Sequence, residues 1–386
     1  MKRELGSRVV WGLGLGIMAA LGGRVAVAAP ATAVPEKPAP LLSTDFEGDM
    51  GGWTALGETA QLSLSREKDT VKKGTSSLGF DYQIQRGQTN AFILPLAEGT
   101  LRGAQQFHFW VKTDAPTVLA LVAQEKDGGR YLASFWSPGN AWQEVQIAPT
   151  DFDLSKDKDD PQDPDGKFDL DQVEGLGFAD MFQLLAAGND EQVQKFVGLK
   201  LGAHKLFLDE FSVSTEALPQ PPKPAEANAV MLDSFMGPQA NWVALKDVKL
   251  GIVEGDVFKG TSLQAEYHTS VGAFCGWIRP LSGQKLTGTK ALALTVATVE
   301  GGTFIVQVEE NSGEKYNMML DVPGNIQPKE LTLNFADFKI ADDSPHVNNQ
   351  LDVSDIKHMI VIDINPFIGG KEADNTFWMS NLRALK

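Results

Sequence analysis

The sequence predicts an all-β protein made of two antiparallel β-sandwiches in tandem, with a short helical insertion in the first. Three observations predict it. The chain repeats itself: Glu125, Gly128 and Tyr131 recur as Glu310, Gly313 and Tyr316, each 185 positions later. Its apolar residues alternate with period two, the signature of half-buried strands. Gly, Asp and Asn cluster between these alternating runs, as turns do between antiparallel strands.

The repeat sets the domain organisation. The four tyrosines form two pairs at the same offset, Tyr82 with Tyr267 and Tyr131 with Tyr316. "KGTSSLGFDY" in the first half answers to "KGTSLQAEY" in the second, and "DFEGDMGGW" to "SFMGPQANW". A constant register from 77 to 131 leaves little room for insertions there. The Pro-rich stretch 216–228 cannot pack a core and extends instead. It separates a first domain, 41–215, from a second, degenerate copy, 229–386. The unit is too long for a solenoid repeat.

Strand parity then sorts the faces. In "FHFWV" Phe107, Phe109 and Val111 share one face, and Leu292, Leu294 and Val296 take their places in the copy. Leu119, Leu121 and Ala123 align with Phe304, Val306 and Val308. Tyr131, Ala133 and Phe135 align with Tyr316, Met318 and Leu320. These apolar sets are the predicted core. His108, Trp110, Arg130 and Trp136 then project from the opposite faces. Trp277 aligns with Phe92 and reads as core. The run "FADMFQLLAAGNDEQVQKF" carries the predicted helical insertion, which the copy replaces with "IDINPFIGGKEADNTF".

Composition excludes several functions. Fifty acidic residues against 34 basic ones give a formal charge of -16, which opposes nucleic-acid binding and attraction to anionic membranes. The N-terminus reads as a secretory signal over 1–29: Lys2, Arg3 and Arg8, then the apolar "VVWGLGLGIMAALGG", then "AVA" ending at Ala28. A Pro-rich tether follows over 30–40. No cysteine lies directly after the apolar run, so no lipid anchor is expected. The expected location is secreted or periplasmic, with no membrane insertion after signal removal. The single cysteine, Cys275, lies among apolar residues and reads as a small core residue. No metalloprotease, nucleophile-elbow or P-loop motif occurs. The run "DKDDPQDPDGKFDLD" at 157–171 fails the EF-hand spacing and reads as a solvated acidic loop.

The order of signals resembles the galactose-binding-like jelly rolls, in particular the family 11 carbohydrate-binding modules and the related CIA30 domains. It is carried by the opening "DFE" and Trp, "KGTSSL", the Phe-rich strand, "EKDGGRY", the acidic loop leading to "LD", and the closing "LFLDEFSVS". The resemblance implies a non-catalytic protein whose partner is a polysaccharide or oligosaccharide. Trp110 and Trp136 would stack on sugar rings, and His108, Gln124, Glu125 and Arg130 would read hydroxyls. It also implies a structural Ca²⁺ in the first domain only, held by Glu47, the Gly74–Thr75 backbone and Asp209. The copy has Met236 and Ser380 at the two acidic positions. Two other readings stay open: an envelope interaction module in which the same tryptophans form an interface, and a glycan-active enzyme built on a carboxylate pair.

Overall fold

The computed structural model describes residues 39–155, 160–188, 191–255, 257–281 and 283–386. The predicted signal and nearly all of the tether lie outside them. Apolar residues at alternate positions build twelve strands in the first half. These are β1 (Leu42–Thr44), β2 (Thr54–Leu56), β3 (Gln61–Ser65), β4 (Ser77–Ile84), β5 (Ala91–Pro95), β6 (Gln106–Thr113), β7 (Thr117–Glu125), β8 (Arg130–Ser137), β9 (Gln143–Ile147), β10 (Asp153–Leu154), β11 (Val173–Asp180) and β12 (Gly202–Ser214). The second half repeats them as β13 (Val230–Asp233), β14 (Val243–Ala244), β15 (Val248–Glu254), β16 (Thr261–Thr269), β17 (Cys275–Pro280), β18 (Ala291–Thr298), β19 (Gly302–Glu310), β20 (Lys315–Val322), β21 (Lys329–Asn334), β22 (Lys339–Ile340), β23 (Ile356–Asp363) and β24 (Ala373–Leu385).

Each half makes two six-stranded antiparallel sheets. In the first the orders are β3-β4-β12-β6-β9, with β1 also on β12, and β10-β8-β7-β11-β5-β2. The second half has β15-β16-β24-β18-β21, with β13 on β24, and β22-β20-β19-β23-β17-β14. The topologies are identical, so the halves are two copies of one sandwich. Even a detail recurs. The last strand of each copy bulges at a residue with positive φ, Glu210 (51°) and Asn381 (56°).

Parity places the cores as predicted. Phe107, Phe109 and Val111 are fully buried, as are Leu119, Leu121 and Ala123. Trp53 sits among Phe92, Phe178 and Phe211, with centroids 5.3–5.6 Å away. Trp277 packs on Phe377 at 5.0 Å in the copy and is fully buried. Cys275 is buried and free, and burial pushes its thiol up to about 11. The helical insertion comprises two short helices, α1 (Phe182–Ala187) and α2 (Glu191–Phe196). A third, α3 (Gly283–Leu286), lies in the copy and was not anticipated.

The repeated tyrosines have the same buried work in both copies. Tyr82 donates to Asp180 at 2.6 Å, and Tyr267 donates to Asp363 at 2.9 Å. The repeated glutamates do too. Glu125 accepts the Asp169 amide, and Glu310 accepts the Asp352 amide at 2.6 Å. The echoed stretch is thus a clamp that fixes the next long loop to the sheet edge.

The sandwiches are joined by more than the linker. The Trp136 amide donates to Ala240 O at 3.1 Å, and the Lys246 amide to Phe196 O at 2.7 Å. Gln239 completes the edge of β9: its Oε1 accepts the Gln146 amide at 3.2 Å and its Nε2 donates to Gln146 O at 2.6 Å. Phe196 of α2 packs on Phe274 of the second copy at 4.9 Å. Among the described residues no helix is long and apolar enough to cross a membrane.

Candidate functional site: a tryptophan-lined cleft between the sandwiches

Strand β6 presents Trp110 on its outer face, beside Asp209 of β12 and Glu144 of β9. The ring is half-buried, and the Lys72 ammonium lies 3.7 Å from its centroid. His108, two residues earlier on the same face, shares a 2.8 Å hydrogen bond with Glu144. The chain then turns back through Pro138 and Trp142 into β9. These residues wall a cleft of about 360 Å³ together with Trp136, Gln143 and Glu144. The second sandwich supplies the opposite wall, from Pro238 and Ala240 and from Leu250, Gly251 and Ile252 on β15.

Two polar atoms in this lining have no partner. The Trp142 indole N–H and the Gln143 amide oxygen are buried and unbonded. A buried polar group normally finds a partner, so these two atoms are exceptions within the lining. Glu144 is the only carboxylate in the lining. The arrangement offers indole faces beside a buried donor and a buried acceptor that lack protein partners. It lacks the two facing carboxylates of a glycosidase.

The sequence-predicted binding residues do not gather in one place. Trp110 and Trp136 both line the cleft, but not as an exposed pair. Trp136 is only 4% exposed. Its ring lies 6.4 Å from Phe182 of α1, and the 238–240 segment of the second sandwich covers it. Parity correctly put it on the face away from Phe135; it could not say that a helix and a second domain pack there. Trp136 therefore belongs to the interface between sandwiches as well as to the cleft.

Gln124, Glu125 and Arg130 sit elsewhere, at the β7–β8 turn. Gln124 Nε2 donates to Gly129 O at 2.8 Å, and its Oε1 accepts from Arg130 Nε at 3.3 Å. Arg130 also pairs with Asp160. Glu125 is buried, at 2% exposure, and does not face a ligand. Burial pushes its carboxyl up to about 7, aided by the charges of Asp163, Asp127 and Asp169, against the Asp169 amide bond that lowers it. From Asp160 on, the acidic loop is largely exposed, as expected, but it is pinned through Asp160 to Arg130, through Asp163 to Tyr131 and through Asp169 to Glu125.

The residues expected to hold Ca²⁺ do converge on one loop. Glu47 accepts the Thr75 and Ser76 amides at 2.8 and 3.2 Å and the Thr75 hydroxyl at 2.5 Å. Asp209, fully buried, accepts the Lys72 and Lys73 amides at 2.9 and 3.0 Å and that of Glu210 at 2.9 Å. Gly74 is required here, with φ at +70° and a Cβ that would fall 2.1 Å from Glu47 Oε1. Calcium wants six to eight oxygen ligands. These two carboxylates instead face a ring of N–H and O–H donors, which satisfy an anion. Among the described residues no group of three or more acidic, His or Cys side chains is placed to hold a metal ion. So arranged, the set does not fit the ion.

Sequence reasoning missed Trp142, Gln143 and the wall from β15. Trp142 lies in a loop, where period-two reading is silent, and the copy has Pro328 in its place. A large aromatic in a turn, with no counterpart in the repeat, was the available signal.

No protein-family profile matches the chain, and no curated protein does. Solved structures similar to it include the family 11 carbohydrate-binding module of the Clostridium thermocellum cellulosomal cellulase Lic26A-Cel5E. That match has 16% identity and a TM-score of 0.34, covering 42% of this chain and 96% of that one. The Clostridium thermocellum module in complex with a β-1,3-1,4-mixed-linked tetrasaccharide matches at 15% identity and 0.34, over 42% and 97%. The tandem of two family 22 modules from Paenibacillus barcinonensis Xyn10C matches at 14% identity and 0.29, over 92% of this chain and all of that one. These solved structures, to which the chain is similar, are thus carbohydrate-binding modules, one of them a tandem of two.

Proposed function

We propose that this is an exported, non-catalytic carbohydrate-binding protein whose site is the cleft between the sandwiches, so that both copies are needed to form it. The observation that carries this reading is the trio Trp110, Trp136 and Trp142 around an unpartnered indole N–H and amide oxygen. Pyranose rings present C–H faces to aromatic rings, and their hydroxyls both donate and accept. The overall negative charge favours neutral over acidic glycans. Lys72 is exposed on its loop and free to leave the Trp110 face when a ring arrives.

The test is a titration of the full chain with mixed-linked β-glucan and xylan oligosaccharides, followed by tryptophan fluorescence. Trp142→Ala removes one stacking face of the cleft. Its expected effect is a loss of about 2 kcal/mol, roughly thirtyfold in affinity. Trp110→Ala should lose a similar amount. Unchanged affinity in both variants, or no response to any neutral glycan, would return the tryptophans to a purely structural role.

A further inference from the structure

The two copies share a carboxylate at one position and differ in what surrounds it. Glu144 of β9 stands cross-strand from Trp110. Glu330 of β21 stands cross-strand from Thr295, the residue that replaces Trp110 in the copy. Glu330 is held by the buried Arg383 guanidinium, which also pairs with Glu226 at 2.7 Å. Among the described residues the only basic side chain within ion-pairing reach of Glu144 is His108, at 2.8 Å. The same carboxylate is thus neutralised by an arginine in one copy and stands beside a ring, with no lysine or arginine, in the other.

The two oxygens of Glu144 are used unequally. His108 Nε2 shares a hydrogen bond with Oε1 at 2.8 Å, and Gln146 Nε2 donates to the same atom at 3.3 Å. Both neighbours project from the sheet face that carries Glu144, so they fix the orientation of the carboxylate. Oε2 has no protein partner among the described residues. The side chain is 33% exposed and lines the cleft next to the half-buried Trp110. Asp209, on the other flank of Trp110, offers nothing comparable, because it is fully buried and occupied by three backbone amides. A charged acceptor makes a stronger hydrogen bond than a neutral one. The cleft therefore presents one charged acceptor oxygen, oriented in advance and adjacent to an indole.

We propose that Glu144 is the specificity-determining residue of the cleft: its Oε2 accepts a hydroxyl of a neutral pyranose stacked on Trp110 and turns away a uronate in the same place. The assignment rests on the function proposed above and deepens it by naming the group that selects neutral sugars. Discrimination of this kind has an attractive and a repulsive part. The attractive part is the charge-assisted hydrogen bond that the sugar hydroxyl donates. The repulsive part is the like charge that a uronate would bring against a carboxylate with no lysine or arginine beside it. The Lys72 ammonium, 3.7 Å from the Trp110 centroid, would favour a uronate once that carboxylate is neutralised.

The deciding variant is Glu144→Gln, which keeps the shape of the side chain and removes its charge. Calorimetric titrations of the full chain use three probes: the mixed-linked tetrasaccharide, xylotetraose, and xylotetraose bearing one glucuronate. They are run on the native chain, on Glu144→Gln, and on Trp110→Ala and Trp142→Ala. Glu144→Gln is expected to melt as the native protein does and to bind the neutral tetrasaccharides at least tenfold more weakly. The ratio of glucuronate-bearing to plain xylotetraose affinity is expected to shift at least tenfold towards the acidic sugar. An unchanged neutral affinity, or an unchanged ratio, in folded Glu144→Gln would overturn the proposal. If binding is still weakened in the tryptophan variants, that outcome leaves the cleft reading intact. The expected changes in Glu144→Gln beside native affinity in both tryptophan variants would sink the stacking reading and leave Glu144 as the selecting contact. A native chain that binds none of the three probes would overturn both.

Discussion

Trp136→Ala is expected to destabilise the protein by about 3–5 kcal/mol, the range for truncating a buried aromatic. The ring is nearly enclosed, between α1 and the 238–240 segment. Its removal opens a cavity at the seam where the two sandwiches meet. Trp110→Ala provides the contrast. That ring is half-buried and meets one exposed ammonium, so its loss should cost about 1 kcal/mol or less. Urea denaturation of both variants separates the two. Equal losses would mean that the seam does not bury Trp136 as described.

The second large effect is at Asp209. Asp209→Ala removes the acceptor for three backbone amides and leaves the 72–73 amides without a partner. Orphaned buried groups cost about 1–3 kcal/mol each, and with partial access to water a total of about 3 kcal/mol is expected. Asp209→Asn keeps one acceptor oxygen and should lose about half as much. Glu47→Ala acts at the exposed end of the same loop and should cost less than Asp209→Ala. A chelator discriminates the calcium expectation from this network. If amide donors alone hold the loop, chelation leaves the melting temperature unchanged. A fall on chelation, reversed by Ca²⁺, would show an ion that the donor set argues against.

Much of the fold was legible because the chain carries its own control. Aligning Phe107, Phe109 and Val111 with Leu292, Leu294 and Val296 tells core from surface without any other sequence, since only a core constrains both copies to apolar residues. The method fails where the copies part. Asp180 and Asp363 hold the repeated tyrosines equivalently, yet they fall outside the fixed offset, beyond loops of unequal length. Trp142 has no aromatic partner in the copy and lies in no strand. The β15 wall depends on how two domains dock, and nothing local in "VKLGIVE" encodes it. Glu125 shows the converse error. Its polarity suggested a ligand contact, but it alternates with the core residues of β7 and is buried as they are.

The central claim is that the glycan site lies between the sandwiches and needs the second one. Gly251 tests it from the side that carries no tryptophan. It lines the cleft, and a Cβ built there meets no atom within 4 Å. A tryptophan at this position can therefore fill the cleft while leaving the β15 backbone in place. Calorimetric titration of Gly251→Trp with the mixed-linked tetrasaccharide is the direct measurement. The account predicts that cleft binding is lost while the melting temperature holds within a few degrees. Native affinity in a folded Gly251→Trp protein would contradict it, because a sugar bound on the first sandwich alone would not sense a residue of the second.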